Sequence, residues 1–422
     1  MLFIYGALTV GGIETFFVRM AKERDKLGLE TTILLLSKPE KSNSELLVEM
    51  GKYSTVIFPK DLFYNIPGVS RRFPLLAPIN KKKLYDVFNN VDQIHAFDGM
   101  HALLGYRLSC LINKKIPITV GFYHYIKYLW GGQNIALHER INRKFVFEYL
   151  PKKSLLFFSE GNRNLYTKHK KMDFSNSNTF RLGVVDNKII PSFTEKRNEP
   201  LKIVAVGRLV EFKTYNLYML DVIKSLLEKG RQVQFCIYGD GPLRTEIAKK
   251  IYELGLTKYV FLKGTLDYSE FDEVVSQYDL FIGSGTAIIQ AASLGVSSIV
   301  GVENVVKPVT YGFFCDVNMY EYNLQGLDLP MVSVEYLIER YMDFEECKRI
   351  DLKKSHMQSI KEFTNKACQE SMDELKNIQT PHSRFNYNMF SYEVSRVFDR
   401  LNMKFNKQHP FNKRHHGSQE NV

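Results

Sequence analysis

Two cations five residues apart, Arg208 and Lys213, stand between an apolar β-rich run, Leu201–Val206, and a helical pattern, Thr214–Lys229. A helix N-terminus already favours an anion, because its first N–H groups lack intrahelical partners and the macrodipole is positive there. An arginine adds a planar fork and a lysine a movable point charge, so the loop Gly207-Arg-Leu-Val-Glu-Phe-Lys213 has the makings of a diphosphate clamp. Read by position alone, the two cations are equally well solvated surface charges. Two more loops follow the same plan. Gly239-Asp-Gly241-Pro242 lies between a strand-like run and a helical one, where glycines permit close backbone approach and proline suits the first helical turn. Gly283-Ser-Gly-Thr286 precedes a helical pattern that carries Gln290 one turn in. Small residues there expose N–H groups to an anion, with Ser284 or Thr286 as N-cap. Ordinary strand-to-helix turns and plain capping explain these two loops without any ligand.

The first half of the chain offers Gly11-Gly12-Ile-Glu14 after a first strand, His95 and Asp98 around the end of another, and His124 directly after a third. A polar residue at a strand end is a site candidate when the sheet is parallel, and otherwise a satisfied side chain at the edge of a core. No GxGxxG fingerprint accompanies the glycines, which argues against a nicotinamide or flavin cofactor. The cysteines, Cys110, Cys236, Cys315, Cys347 and Cys368, are scattered, with no CxxC and no histidine at ligand spacing. They argue for a reducing compartment and against a metal site.

The elements that must hold these residues alternate. In the first half, strand patterns at Leu2–Tyr5, Thr31–Leu36, Ser54–Phe58, Gln93–Ala96, Ile116–Gly121 and Ser154–Phe158 are separated mostly by helical ones, the first of them Glu14–Leu27 closed by Gly28. Asp61–Pro78 is irregular. A polar stretch with Pro191 and Pro200 reads as a linker over 186–200. Alternation then becomes strict: strands at Leu201–Val206, Gln232–Tyr238, Tyr259–Leu262, Asp279–Ile282 and Ser298–Val302, with helices between them. Such order implies parallel sheets covered by helices on both faces, with ligands at the carboxyl ends of the strands. The expected organisation is a Rossmann-like domain over 1–185, the linker, a second over 201–375, and a basic tail over 376–422 that either lacks order or packs back on the first domain.

Together the loops resemble the retaining GT-B glycosyltransferases of group 1. The resemblance rests on Val206-Gly-Arg-Leu with Lys213, Gly239-Asp-Gly-Pro, and Gln290-Ala-Ala-Ser-Leu-Gly295, and extends from Gly11-Gly12 to Arg181-Leu-Gly-Val-Val-Asp186, which is similar to that family's hinge segment. It implies two Rossmann-like domains facing across a cleft, and a sugar moved from a nucleoside diphosphate sugar (UDP- or GDP-linked) with retention of anomeric configuration and no metal or resident cofactor. The implied acceptor is a saccharide, lipid-linked at the membrane's cytoplasmic face, in the assembly of cell-surface polysaccharide such as lipopolysaccharide or capsule. The catalytic candidates are His124 by the same resemblance, Asp98 by its strand-end location, and Arg208 and Lys213 by both charge and resemblance. Gly11, Gly12, Gly207, Gly239, Gly241, Gly264, Gly283, Ser284, Gly285, Thr286 and Gln290 join the two cations in binding the donor. One departure stands out: where the family has two glutamates eight residues apart, this chain has Ile282 and Gln290.

A net charge of +11 suits anionic partners, although free use of lysine explains it equally well. No motif for nucleic acid accompanies it. Aromatic and basic residues interleave from Tyr123 to Lys153, a mix that suits an anionic membrane surface or, as simply, a helix with an aromatic core face. No run is long enough to span a bilayer, so the expected location is cytoplasmic, peripheral on the membrane at most. Two rivals remain: a sugar-nucleotide epimerase or hydrolase of the same fold, and a binding protein that has lost catalysis.

Overall fold

The computed structural model describes residues 1–413 except 10, 65, 67–71, 124–126, 187–198 and 382. The chain forms two compact units, Met1–Gly183 with Asn365–Val422, and Val184–Thr364.

The first unit is built on a seven-stranded sheet: β1 (Leu2–Tyr5), β2 (Thr32–Leu35), β3 (Thr55–Ile57), β4 (Ile94–Ala96), β5 (Ile118–Gly121), β6 (Leu155–Phe157) and β7 (Asn178–Thr179). They lie in the order β3-β2-β1-β4-β5-β6-β7, and every pairing is parallel. Alternation along β1 shows why both faces are covered. Leu2 and Ile4 enter one core with Ile94, Val120 and Phe157. Phe3 and Tyr5 enter another with Phe16, Phe17 and Ile33. Six strands follow the sequence pattern, β1 over its full range and the other five with one or both ends drawn in by one or two residues. β7 is polar and only two residues long, so no apolar run announces it.

The second unit holds β8 (Leu201–Val206), β9 (Val233–Tyr238), β10 (Val260–Gly264), β11 (Leu280–Gly283) and β12 (Ser297–Val300). Their order is β10-β9-β8-β11-β12, again all parallel. Order reverses at β8, whose neighbours are β9 and β11. That switch point is where a crevice opens at the carboxyl ends of such a sheet, and the loops after β8, β9 and β11 are those carrying the candidate residues. The helical pattern at Ser269–Gln277 resolves into a tight turn, Tyr268–Glu270, and a short helix, Phe271–Val275.

The units divide at 183/184 and 364/365 instead of at 185, 200 and 375. Helix Asn365–Asp373, expected in the second domain, belongs to the first unit, where Cys368, Met372 and Leu375 enter the core with Phe16 and Met20. Asp373 there pairs with the buried Arg24 at 3.5 Å. The segment expected as a tail contains a 17-residue helix, Met389–Phe405, in the same unit. An amphipathic pattern tells which face a helix buries, and is silent on which sheet it covers.

Candidate functional site

The loop after β8 is held by its neighbour after β9, backbone against backbone. Gly207 N–H donates to Tyr238 O at 2.9 Å, Leu209 N–H to Asp240 O at 2.9 Å, and Leu243 N–H to Leu209 O at 3.1 Å. A Cβ on Gly239 would lie 1.9 Å from Gly207 O, and one on Gly241 2.4 Å from Leu209 O. Both residues have positive φ, +147° and +153°. Only glycine fits there. Gly239 N–H in turn donates to Gly264 O at 2.6 Å. Gly239, Gly241 and Gly264 therefore fix the path of the Arg208 loop. The loop leaves Arg208 exposed and brings Lys213 Nζ to 2.8 Å from where a Cβ on Gly207 would be.

The turn after β11 is anchored on its other side. Gly301 N–H donates to Gly283 O at 2.8 Å, Gly285 N–H to Asn323 Oδ1 at 2.9 Å, and Ser284 Oγ–H to Glu303 Oε1 at 2.8 Å. Ser284 is almost fully buried, so it holds the turn and does not cap the helix. The N-cap of Thr286–Ser293 is Gly285, with φ +68° and no side-chain cap bond. Thr286 opens the helix, half-buried, in the first turn, where helix amides have no intrahelical acceptor. Gln290, expected to reach a ribose, instead donates its amide to Asp272 Oδ1 at 3.0 Å. Ile282 is a fully buried residue of β11, so nothing at that position can face a ligand.

Glu303 is the residue that joins the two loops, and no sequence motif singled it out. Desolvation raises its pKa above the ordinary carboxylate value, against the hydrogen bond from Ser284 and the attraction of Lys213 and Arg208. The three side chains thus form one electrostatic group, two cations to one carboxylate that burial makes easy to protonate. Glu303 directly follows the strand pattern Ser298–Val302, so the rule of looking at strand ends was sufficient to find it. Asn323 comes from an irregular stretch and had no such signal.

In the first unit the described candidates have partners within the fold. Asp98 caps helix Gly99–Leu111 through His101 N–H at 3.0 Å, and meets His101 Nδ1 at 2.6 Å. Desolvation works against its charge, but His101, Lys127 and the capping bond outweigh it and hold the carboxyl well below the usual range. His95 is fully buried between Thr119 Oγ1 at 2.9 Å and Tyr123 OH at 2.5 Å. Burial pushes its pKa down to about 3, so it is neutral. Gly11 and Gly12 begin helix Gly12–Lys26. The Glu14 carboxylate folds back over them, accepting from Tyr5 OH at 2.9 Å and Thr9 Oγ1 at 2.8 Å. Its Oε2 lies 2.6 Å from where a Cβ on Gly11 would be, so the Glu14 side chain already occupies the approach to that glycine turn. His124 lies outside the described residues. Among the described residues, no three of His, Cys, Asp and Glu gather as a metal site, and no helix is long and apolar enough to cross a membrane.

Residues 186–321 match the family described as Glycosyl transferases group 1. A poly(ribitol-phosphate) α-N-acetylglucosaminyltransferase of Staphylococcus aureus (strain COL) is 34% identical over 115 residues, 24% of this chain and 22% of that protein. One polypeptide of the human phosphatidylinositol N-acetylglucosaminyltransferase is 30% identical over 148 residues, 32% of this chain and 30% of that protein. The chain thus spans less than a third of the length of these two relatives. Among solved structures, a glycosyltransferase from Rickettsia africae ESF-5 superposes with a TM-score of 0.61 at 14% identity, covering 89% of this chain and 97% of that one. An Anabaena protein in complex with UDP-glucose gives 0.57 at 15% identity, covering 89% and 98%. The fold is therefore the GT-B fold, two Rossmann-like units with parallel sheets, and the second unit carries the group 1 match.

Proposed function

We propose that this GT-B-fold chain, whose second unit is of the group 1 glycosyl transferase kind, is a glycosyltransferase that takes its sugar from a nucleoside diphosphate sugar. The observation that carries the reading is the cation pair Arg208 and Lys213 at the switch point of the second sheet, grouped through Glu303 with the turn that opens helix Thr286–Ser293. Departure of a nucleoside diphosphate leaves negative charge on its terminal phosphate. Arg208, Lys213 and the first amides of that helix are the groups that receive it, in place of a metal ion. Positioned donors of this type speed catalysis because they need no reorganisation when charge develops. Glu303 holds Ser284 in place through its hydrogen bond, and burial works against its charge beside the phosphates.

The finer form is transfer with retention, from a UDP- or GDP-sugar to a saccharide carried on a lipid, at the cytoplasmic face of a membrane. It is supported by the names of the two curated relatives, one specifying α-transfer to poly(ribitol-phosphate) and the other naming phosphatidylinositol, and by the UDP-glucose bound in the Anabaena structure. Incubating the purified chain with a panel of UDP- and GDP-sugars and a lipid-linked saccharide, then reading the anomeric configuration of the product by NMR, tests it. A product of inverted configuration overturns retention, and no product with any donor overturns the enzyme.

One observation favours a second reading, a sugar-nucleotide-binding protein without turnover. Ile282 is sealed in β11 and Gln290 is engaged by Asp272, so neither family glutamate has a replacement at its own position. Nucleotide-sugar binding without product in the same panel selects this reading.

A further inference from the structure

The aromatic and basic segment Tyr123–Lys153, which suited a membrane surface by sequence, turns much of that chemistry inward. Tyr128 is buried and accepts from Gly99 N–H at 2.9 Å. Arg143 lies 5.0 Å over the Trp130 ring, and Phe411 packs edge-on against it. Part of the covering layer is helix Met389–Phe405. Tyr392 OH donates to Asn142 Oδ1 at 2.7 Å, and His138 N–H donates to Ser395 Oγ at 3.1 Å.

That helix is anchored by one face and leaves the other in water. Tyr392, Glu393 and Arg396 are buried. Outward stand Phe390 (67% exposed), Phe398 (68%), Leu401 (49%) and Phe405 (76%). Spacings of eight, eleven and fifteen residues place all four on one side of a 3.6-residue helix. So many large apolar groups in one exposed stripe mark an interaction surface.

The charges say what kind. Residues 385–413 contain two carboxylates, and both turn inward. Glu393 accepts from Leu75 N–H at 2.9 Å and Arg396 Nε–H at 2.7 Å. Asp399 pairs with His409 at 3.1 Å. Among the described residues of this segment the exposed charges are Arg400, Lys404 and Lys407, all cations, with Lys404 Nζ 5.5 Å from the Phe405 ring centroid. Aromatic rings flanked by long cations, with no exposed carboxylate among the described residues of this segment, complement an anionic lipid surface: rings enter the acyl boundary while lysine and arginine reach the phosphates. We propose that the outward face of Met389–Phe405 docks the protein on anionic lipid, with Phe398, Leu401 and Phe405 inserted and Arg400, Lys404 and Lys407 at the headgroups. This deepens the reading of a membrane-borne acceptor, on which its purpose rests.

Co-sedimentation of the full chain with phosphatidylcholine vesicles containing about a third phosphatidylglycerol tests it, at low and high salt and without sugar nucleotide. The wild type binds, and binding falls with salt. Phe398→Ser/Phe405→Ser loses roughly 10–100-fold in partitioning, since two exposed rings no longer enter lipid. Arg400→Gln/Lys404→Gln loses preference for anionic over neutral vesicles. All four residues are exposed, so thermal melts of the variants match wild type. Absence of binding, equal binding to neutral vesicles, or undiminished binding by the double serine variant overturns the proposal. So does a lipid-free dimer, seen by ultracentrifugation, that the serine variant dissolves. Sugar transfer to a water-soluble acceptor is measured separately, so failure of docking leaves the transferase reading standing, and failure of transfer leaves docking standing.

Discussion

Both units gather polar residues within or beyond the ends of parallel strands, with opposite results. In the first unit these residues satisfy one another: His95 with Thr119 and Tyr123, Asp98 with His101, Glu14 with Tyr5 and Thr9. In the second, two cations and a helix N-terminus are gathered with a single carboxylate whose ionisation burial resists. A strand-end location is thus a weak guide by itself. What marks the second-unit cluster as the candidate site is its excess of positive charge over the one buried carboxylate, Glu303.

The comparison breaks most visibly at Arg208. On the proposed reading, Arg208→Ala lowers turnover by roughly two to three orders of magnitude with an unchanged melting temperature, because an exposed arginine that stabilises the leaving diphosphate contributes to rate and little to folding. Steady-state kinetics beside a thermal melt checks both halves. Gly239→Ala reverses the pattern: a methyl 1.9 Å from Gly207 O at φ +147° should destabilise by about 2–4 kcal/mol and displace the Arg208 loop, seen in urea unfolding. Asp98→Ala is expected to cost about 1–2 kcal/mol of stability through its lost cap. Its folded pKa is depressed, so this contribution is present above the ordinary value of 3.8 and lost as pH falls through the folded value. At acid pH the variant and wild type therefore converge in urea unfolding. Glu303 carries the opposite sign and the smallest effect. Its raised pKa makes the folded chain bind more protons than the unfolded one just above 4.5, so stability falls as pH rises through that window. Glu303→Gln should remove this slope in pH-dependent melts and strengthen nucleoside diphosphate binding about threefold to tenfold, as expected from removing one charge near the phosphates.

Sequence periodicity revealed both sheets and the three loops of the second unit, because buried parallel strands leave apolar runs and the loops between them carry glycine. By residue type the glycines of the Gly239–Pro242 loop read as an ordinary turn and only the resemblance gave them a ligand role; their crowding against Gly207 and Leu209 shows that two loops need to pass close together. That distinction lies in distances between segments far apart in sequence. Glu303 directly follows the last strand pattern, Ser298–Val302, but belongs to no motif that marks it. The return of Asn365–Asp373 to the first unit left no local mark, since a helix buries the same kind of face against either sheet. The exposed stripe of Met389–Phe405 became legible only once its anchored face was known.

The most direct test of a phosphate-binding group in the second unit is calorimetric titration of UDP, GDP and their monophosphates into the wild type and into Arg208→Ala/Lys213→Ala. The diphosphates should bind at least about tenfold more tightly than the monophosphates, a gap set by charge-assisted hydrogen bonds, and the double variant should lose that gap. Equal affinities for both in the wild type, or an undiminished gap in the variant, would contradict it.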